Sequence, residues 1–544
     1  MSGLHTLRTV TAATAAWLTA TTLAFALFAA PVLAQKQGGV LNITNLTGPV
    51  GFDMHSPKKA SSRTQEYMSF THNRLFMYAE DESKGLAIVP DLVKTMERPN
   101  PTTYIFELHH GVRFHNRPPL DGRELTAKDV KWTFDRVMAQ SPEKRLFPTL
   151  EKVTVLDKYK VRFDLKSPYA PFRANLAATT MVVYPEEAGK PCKSCAGGRD
   201  FTSPETDIGT GPFVLEEYKE GQRLVYKRHP DYFRKPRPYL DGVNVYIIKD
   251  PASQIAAYRT GKVDLLGNWM RIDHIHAEDA QKFPNTQVAL FAVYATAENI
   301  VGRMDEKPWN DVRVRRAISM AINRDAWSKG LFPMGATKLA GPVPSASAYF
   351  IAEEKLPEDV HRYYRHDPEA ARKLLAEAGY PNGFETKLYT TTGYGQPYNT
   401  RTALIKDQLS RIGINATIVS QEYPQWIKGT YKGNFHGLVH IPRWRLGDED
   451  EWLGAYTPGN TRNQMHLDDP TITGLVKASR EATSDEARAR AIGDFLLRFH
   501  DQMLRVFLPI EHTVEIYSTA LKGYSPKVQG YDHGKRLEAV WLER

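Results

Sequence analysis

Cysteine is almost missing from this chain: Cys192 and Cys195 are the two it has in 544 residues. Two thiolates cannot build a four-thiolate metal site. Beyond residue 34 no stretch is apolar enough to span a bilayer. Charge of one sign is never concentrated. The net charge is +9, but Lys128, Lys131, Lys158, Lys160, Arg313, Arg315, Arg316 and Arg488 are scattered among acids. That excludes a basic tail and any nucleic-acid motif. A diffuse excess reads as a solvated surface with a weak preference for anionic ligands or lipid head groups. There is no G-x-S-x-G elbow, P-loop, dinucleotide fingerprint or H-E-x-x-H, and no spacing links the many Ser, His and Asp residues. Internal repeats, heptads and low-complexity runs are absent as well.

Two patterns that could hold a metal fail on spacing. His436 and His440 are four apart, a separation that chelates on a helix. Their segment reads as strand, where such positions lie about 13 Å apart. The acids Asp448, Glu449, Asp450 and Glu451 lack the alternating ligands and glycine of a calcium loop. They read as a solvated loop or a salt-bridged helix start. No metal and no cofactor is expected.

Residues 1–34 hold one formal charge, Arg8, and the stretch 18–33 is apolar or small. Val32, Leu33 and Ala34 fit a cleavage site before Gln35. A cleaved secretory signal is expected, leaving +8 of the +9. No cysteine follows the site, so a lipid anchor there is not expected, and the periplasm of a Gram-negative cell is the expected address. In that oxidising compartment Cys192 and Cys195 are expected to form a disulfide stapling a small loop. A thioredoxin-like site needs the motif at a helix start, and Pro191, Gly197 and Gly198 oppose that.

A chain of 544 residues is too long for one core. Strand and helix patterns alternate throughout, the signature of α/β lobes. In residues 104–138, Tyr104, Phe106 and Leu108 alternate with Ile105, Glu107 and His109 as a half-buried strand does. After Gly111 the alternation resumes at Val112–His115, and Pro118, Pro119, Asp121 and Gly122 form a loop. Thr126 stands at an N-cap with Asp129 three residues on. Val130, Phe134 and Val137 then share a helical face. Asp157 and Lys158 mark the turn of a strand pair. Residues 312–324 read as a helix with Val314, Ile318, Ala321 and Ile322 inward, and Arg313, Arg315, Arg316 and Arg324 on a solvated face. Residues 369–380 form a helix closed by Gly379, and 401–412 another. The segments 414–419 and 436–441 are strands, and 486–499 is a helix.

The runs Gly111–His115 (GVRFH) and Leu125–Val130 (LTAKDV), followed by Phe134, resemble the periplasmic solute-binding proteins of family 5, the peptide/nickel/opine class that serves ABC importers. GTGPF at 209–213, HPDYF at 229–233, AYRTGKVD at 257–264, VRVRRAISMAINR at 312–324 and EAARKLLAEAGY at 369–380 extend the resemblance over nearly the whole chain. It implies a two-lobed α/β periplasmic-binding-protein fold, type II-like, with an extra inserted subdomain. Lobe one takes 35–80 and 209–290, the subdomain 81–208, lobe two 291–516, and 517–544 returns to lobe one. Gly209–Phe213 is by resemblance a hinge, and by its residues an ordinary turn before a strand.

The resemblance implies a binding protein without covalent chemistry. It captures a small solute by lobe closure and delivers it to an inner-membrane permease with its ATPase subunits. The expected protein is monomeric, and a secreted hydrolase or a periplasmic chaperone using the same cleft is the alternative. Dipeptide receptors of the family present an Asp to the ligand's ammonium, and here Arg445 falls at that position, beside the stacking face of Trp444. They place an Arg before Pro-Tyr-Asn to pair the carboxylate, and here Gln396 precedes Pro397, Tyr398 and Asn399. Paired-charge recognition of a free dipeptide is therefore not expected. A peptide-like, opine-like or sugar-conjugate solute is. Tyr394 and Trp269 are further lining candidates or core residues.

If the cysteines are bonded, iodoacetamide labels neither Cys192 nor Cys195 in the secreted protein until a reductant is added. Mass spectrometry of the labelled peptide reads the result.

Overall fold

The structure is a computed structural model. It describes residues 35–56, 62–79, 87–189, 203–266, 279–292, 296–339, 341–343, 347–444, 448–526 and 536–544. The expected signal segment, both cysteines, Trp269 and Arg445 lie outside the described residues. The backbone of Trp444 lies inside them.

One unit is built on a four-stranded sheet. Val40–Asn45 pairs in parallel with Gly242–Ile247, which pairs antiparallel with Arg223–Arg228, and that strand with Phe213–Lys219. Leu41, Ile43, Phe213, Leu215, Val243 and Val245 form its core with Leu521, Leu537, Val540 and Leu542 from the far end of the chain. A buried polar network fixes that end. Arg536 and Arg234 both bind Asp91, each at 2.9 Å, and Arg234 donates to Glu538 at 2.7 Å.

A second unit is an antiparallel sheet in the order Val93–Asn100, Thr103–Leu108, Lys160–Leu165, Leu150–Val155. Tyr104, Phe106 and Leu108 point inward as their alternation requires. The helix Ala127–Gln140 covers the sheet with Val130, Phe134 and Val137. Thr126 is its N-cap, and its backbone N–H donates to Asp129 Oδ2 at 2.8 Å. Asp157 turns the strand pair by accepting from Tyr159 and Lys160 N–H, each at 2.7 Å. Val112–His115 is not a strand. Arg113 makes one isolated bridge to Glu124, and His115 turns inward to Gly211 O.

The third unit carries a five-stranded sheet in the order Ile414–Gln421, Phe384–Thr391, Leu438–Trp444, Thr296–Gly302, Val506–Phe507. Its first two pairings are parallel and its last two antiparallel. Helices Val312–Ala321, Pro368–Glu377, Gln396–Ser410 and Asp485–Asp501 pack around it. The arginine face expected to be solvated is partly internal. Arg315 and Arg324 are 8% and 4% exposed, and their guanidinium groups donate to carbonyls of Trp309, Gln502, Phe507, Ser319 and Tyr364. Their helix breaks after Ala321 and a second runs Arg324–Leu331.

The first and third units are joined by two extended segments lying side by side. Thr286–Ala292 leads outward and Ile510–Ser518 returns, paired antiparallel over seven residues.

Phe163 is fully buried with the rings of Phe134, Phe106 and Phe172 at 4.8, 5.3 and 5.7 Å. Phe163→Ala is expected to destabilise the antiparallel unit by about 3–5 kcal/mol, read as a lowered urea midpoint.

Candidate ligand-binding wall

Gln396 opens its helix five residues earlier than the apolar pattern suggests. The strand Phe384–Thr391 ends in a turn closed by Thr391 Oγ1, which accepts from Gly393 N–H at 3.1 Å. Gly395 then takes φ +82, a left-handed angle that glycine adopts without strain. Pro397 sits in the first turn, where a missing N–H costs nothing. Gln396 is left exposed at the helix start. Tyr394 is half-buried, edge-on to Tyr398 at 5.0 Å and Tyr423 at 5.6 Å. Burial raises its phenol well above the ordinary value, so it stays neutral.

Beneath these residues lies a charged cluster. Glu298 accepts from Arg401 Nε and Nη2 at 2.8 and 2.6 Å, and from His440 Nε2 at 3.1 Å. His440 Nδ1 meets the Thr402 hydroxyl at 2.9 Å, and Thr402 meets Thr390 at 3.1 Å. The Tyr398 ring stacks on His440 with centroids 4.1 Å apart, and its hydroxyl donates to His440 O at 2.6 Å. Burial alone pushes Glu298 up. The His440 hydrogen bond and the charge and hydrogen bonds of Arg401 override it and hold Glu298 at about 2. Burial lowers His440, and the carboxylate offsets that in part. His440 is therefore neutral at pH 7, with Nε2 carrying the proton toward Glu298.

This cluster ties three elements together. Arg401, Thr402 and Tyr398 belong to the helix Gln396–Ser410, His440 to the strand Leu438–Trp444, and Glu298 to Thr296–Gly302. At the far end of that strand pair Trp444 faces Thr296. Gln396 and the backbone of Trp444 are thus borne by elements the cluster joins, and Tyr394, in the turn Thr392–Tyr394, packs on Tyr398 of that helix. His436 is exposed beside Glu306 at 2.8 Å, while His440 is buried, so the two serve different partners. Three of the acids 448–451 are bound by arginines. Asp448 pairs with Arg488, Asp450 with Arg480 at 2.6 Å, and Glu451 with Arg462. Asp450 opens a short helix, Asp450–Leu453. No group of three or more metal-ligating side chains converges among the described residues, and none of their helices is long and apolar enough to cross a membrane.

Residues 87–463 match the model of the bacterial extracellular solute-binding proteins, family 5 Middle. The chain belongs to that family and is a solute-binding protein with the two-lobed α/β fold. Among its relatives is Di/tripeptide-binding protein 2 of Pseudomonas aeruginosa, 28% identical over 509 residues, covering 89% of this chain and 92% of that protein. The fold matches the DppA periplasmic binding protein of Helicobacter pylori in complex with peptide STSA. That match has TM-score 0.72 and 24% identity, over 94% of this chain and 99% of the other. It also matches AgaA of A.tumefacien R10 in complex with agropinic acid, with TM-score 0.71 and 23% identity, over 93% and 99%.

Glu298→Gln is expected to cost about 3 kcal/mol at pH 7, because a buried guanidinium loses its counter-charge. The Glu298 carboxyl is depressed on folding, so its contribution is present above its ordinary value of 4.5 and fades as pH falls toward 2. Urea unfolding of both proteins should therefore show a gap at pH 7 that narrows between pH 5 and pH 2.

Proposed function

We propose that this protein is the substrate-binding component of an ABC importer. It captures a small solute between its lobes in the periplasm and hands it, chemically unchanged, to an inner-membrane permease driven by separate ATPase subunits. The observation that carries this reading is the family match over residues 87–463. The paired crossing strands support it, because two adjacent extended segments can flex together as a hinge. The hydrophobic clusters support a division near 35–80 with 209–290 and 517–544, an inserted 81–208, and 291–516, with Leu75 and Phe76 packing into the insert's core and Val182 and Tyr184 into that of the first unit. One cluster spans Leu75 to Ile208 and another Ile300 to Leu508.

The solute is one without a demand for paired charges at its two ends. Gln396 offers an amide where the dipeptide receptors carry a guanidinium. Arg401, the next arginine on that helix, is held by Glu298 at 2.6 Å and is not free to take its place. Arg445 in place of the ammonium-binding Asp favours a neutral or anionic group at the other end. Trp444, with Tyr394 and Trp269 as further candidates, would supply aromatic contacts. An opine-like acid, a modified peptide or a sugar conjugate fits these needs. Its relatives include proteins named for binding di- and tripeptides, glutathione and heme.

A thermal-shift screen over these solute classes tests the reading. A true ligand raises the unfolding temperature with its concentration and is recovered intact. A solute consumed during the assay would instead indicate catalysis. Gln396→Arg is expected to tighten binding of dipeptides with a free carboxylate by about tenfold or more, the worth of a charge-assisted hydrogen bond. C-terminally amidated dipeptides should gain nothing, as isothermal titration would show.

A further inference from the structure

The antiparallel unit and the five-stranded unit meet directly, away from the crossing strands. Arg145 Nη1 donates to Glu451 Oε1 at 2.8 Å. The Tyr169 hydroxyl donates to Asp450 Oδ2 at 3.0 Å. The backbone N–H of Ala170 donates to the carbonyl of Arg480 at 2.7 Å. Leu146 and Tyr169 belong to the core of the antiparallel unit, whereas Trp452 and Leu453 belong to that of the five-stranded unit. The five-stranded unit reaches the rest of the chain through Thr286–Ala292 and Ile510–Ser518. Rotation about those two strands therefore makes or breaks the contact.

Each charged partner also has a second one on its own side. Arg145 lies 3.4 Å from Glu143, in its own 3-10 turn. Glu451 keeps Arg462, and Asp450 keeps Arg480 at 2.6 Å. Tyr169 receives a hydrogen bond from Asn175 at 3.3 Å. Separation thus strands no buried charge, which is the outcome that makes most buried ion pairs costly to break. The carboxylates are well covered, with Glu451 and Asp450 side chains 8% and 10% exposed, while Arg145 is 37% exposed. The junction is specific, close to charge-balanced and cheap to open.

We propose that Arg145 and Tyr169 on one side, with Glu451 and Asp450 on the other, form a reversible latch that holds the closed arrangement of this binding protein. The proposal rests on the solute-binding reading and adds how closure is held. The latch sets a bias toward the closed form that does not depend on what the solute contributes. Any solute then needs less binding energy to complete closure, and raised ionic strength weakens capture by screening the Arg145–Glu451 pair.

The test measures lobe separation directly and needs no ligand. Nitroxides are placed by Lys152→Cys and Lys477→Cys in a Cys192→Ser, Cys195→Ser background of the otherwise complete secreted chain. Their distance distribution is read by pulsed electron resonance. Arg145→Gln with Tyr169→Phe should raise the ratio of long to short distances by about threefold or more, in line with a partly exposed pair plus one charged hydrogen bond. About 0.5 M NaCl should move the unsubstituted protein the same way, and Arg145→Lys should keep most of the short population. If Tyr169→Phe unfolds its unit, as circular dichroism would show, Arg145→Gln alone carries the measurement. An unchanged distribution in the folded variants overturns the latch. If a solute from the screen still shifts the distances there, the binding reading survives that loss. If no solute shifts or stabilises the protein while the variants do, the latch stands and the binding reading falls.

Discussion

The whole arrangement depends on two strands lying against each other. Thr286–Ala292 and Ile510–Ser518 are hydrogen-bonded over seven residue pairs, and between them they carry the chain into the five-stranded unit and out again. A single connecting segment would let that unit swivel freely. Two paired ones restrict that freedom chiefly to a bend. Leu265 anchors the base of this pair, bridging Ile43 on one side and Tyr517 on the other.

The wall bearing Gln396 and Tyr394 is held by a different device. Glu298, Arg401 and His440 form a charged core in which each member depends on the others. Such a core is less stable than a greasy one of equal volume unless every bond is made. It does specify geometry, because the helix start and the end of the Leu438–Trp444 strand are held at fixed relative positions. A binding face gains from that, since ordering its side chains on contact is a main cost of association.

Much of the fold was legible in the sequence because its signals are local. Thr126 and Asp129 announce a helix start three residues apart, Asp157 announces a turn two residues ahead, and Tyr104, Phe106 and Leu108 announce a face. The family resemblance placed these units in a two-lobed frame. What stayed hidden was set by distant partners. Glu298 meets Arg401 across 103 residues and His440 across 142, and nothing in its neighbourhood marks it as more than a strand residue. Periodicity put Arg315 and Arg324 outside, since it cannot foresee the carbonyls of Gln502 and Phe507 closing over them. The early helix start at Gln396 escaped the apolar pattern because it is dictated by Gly395 and Pro397 rather than by a buried stripe. Of the expected ligand contacts, Gln396 and Tyr394 are borne by this wall. Trp444 is placed by its backbone alone, and Arg445 and Trp269 lie outside the described residues.

The first unit brings residues 40–45 together with residues 521–542. Val40–Asn45 pairs with a strand two hundred residues away, and the core around it is sealed by Leu537, Val540 and Leu542 while Arg536 and Glu538 close the network on Asp91 and Arg234. Contacts of such separation form slowly. Without residues 536–542 there is neither the apolar lid nor the counter-ions to bury Asp91 and Arg234. Assembly of this lobe therefore waits until residues 536–542 are in place.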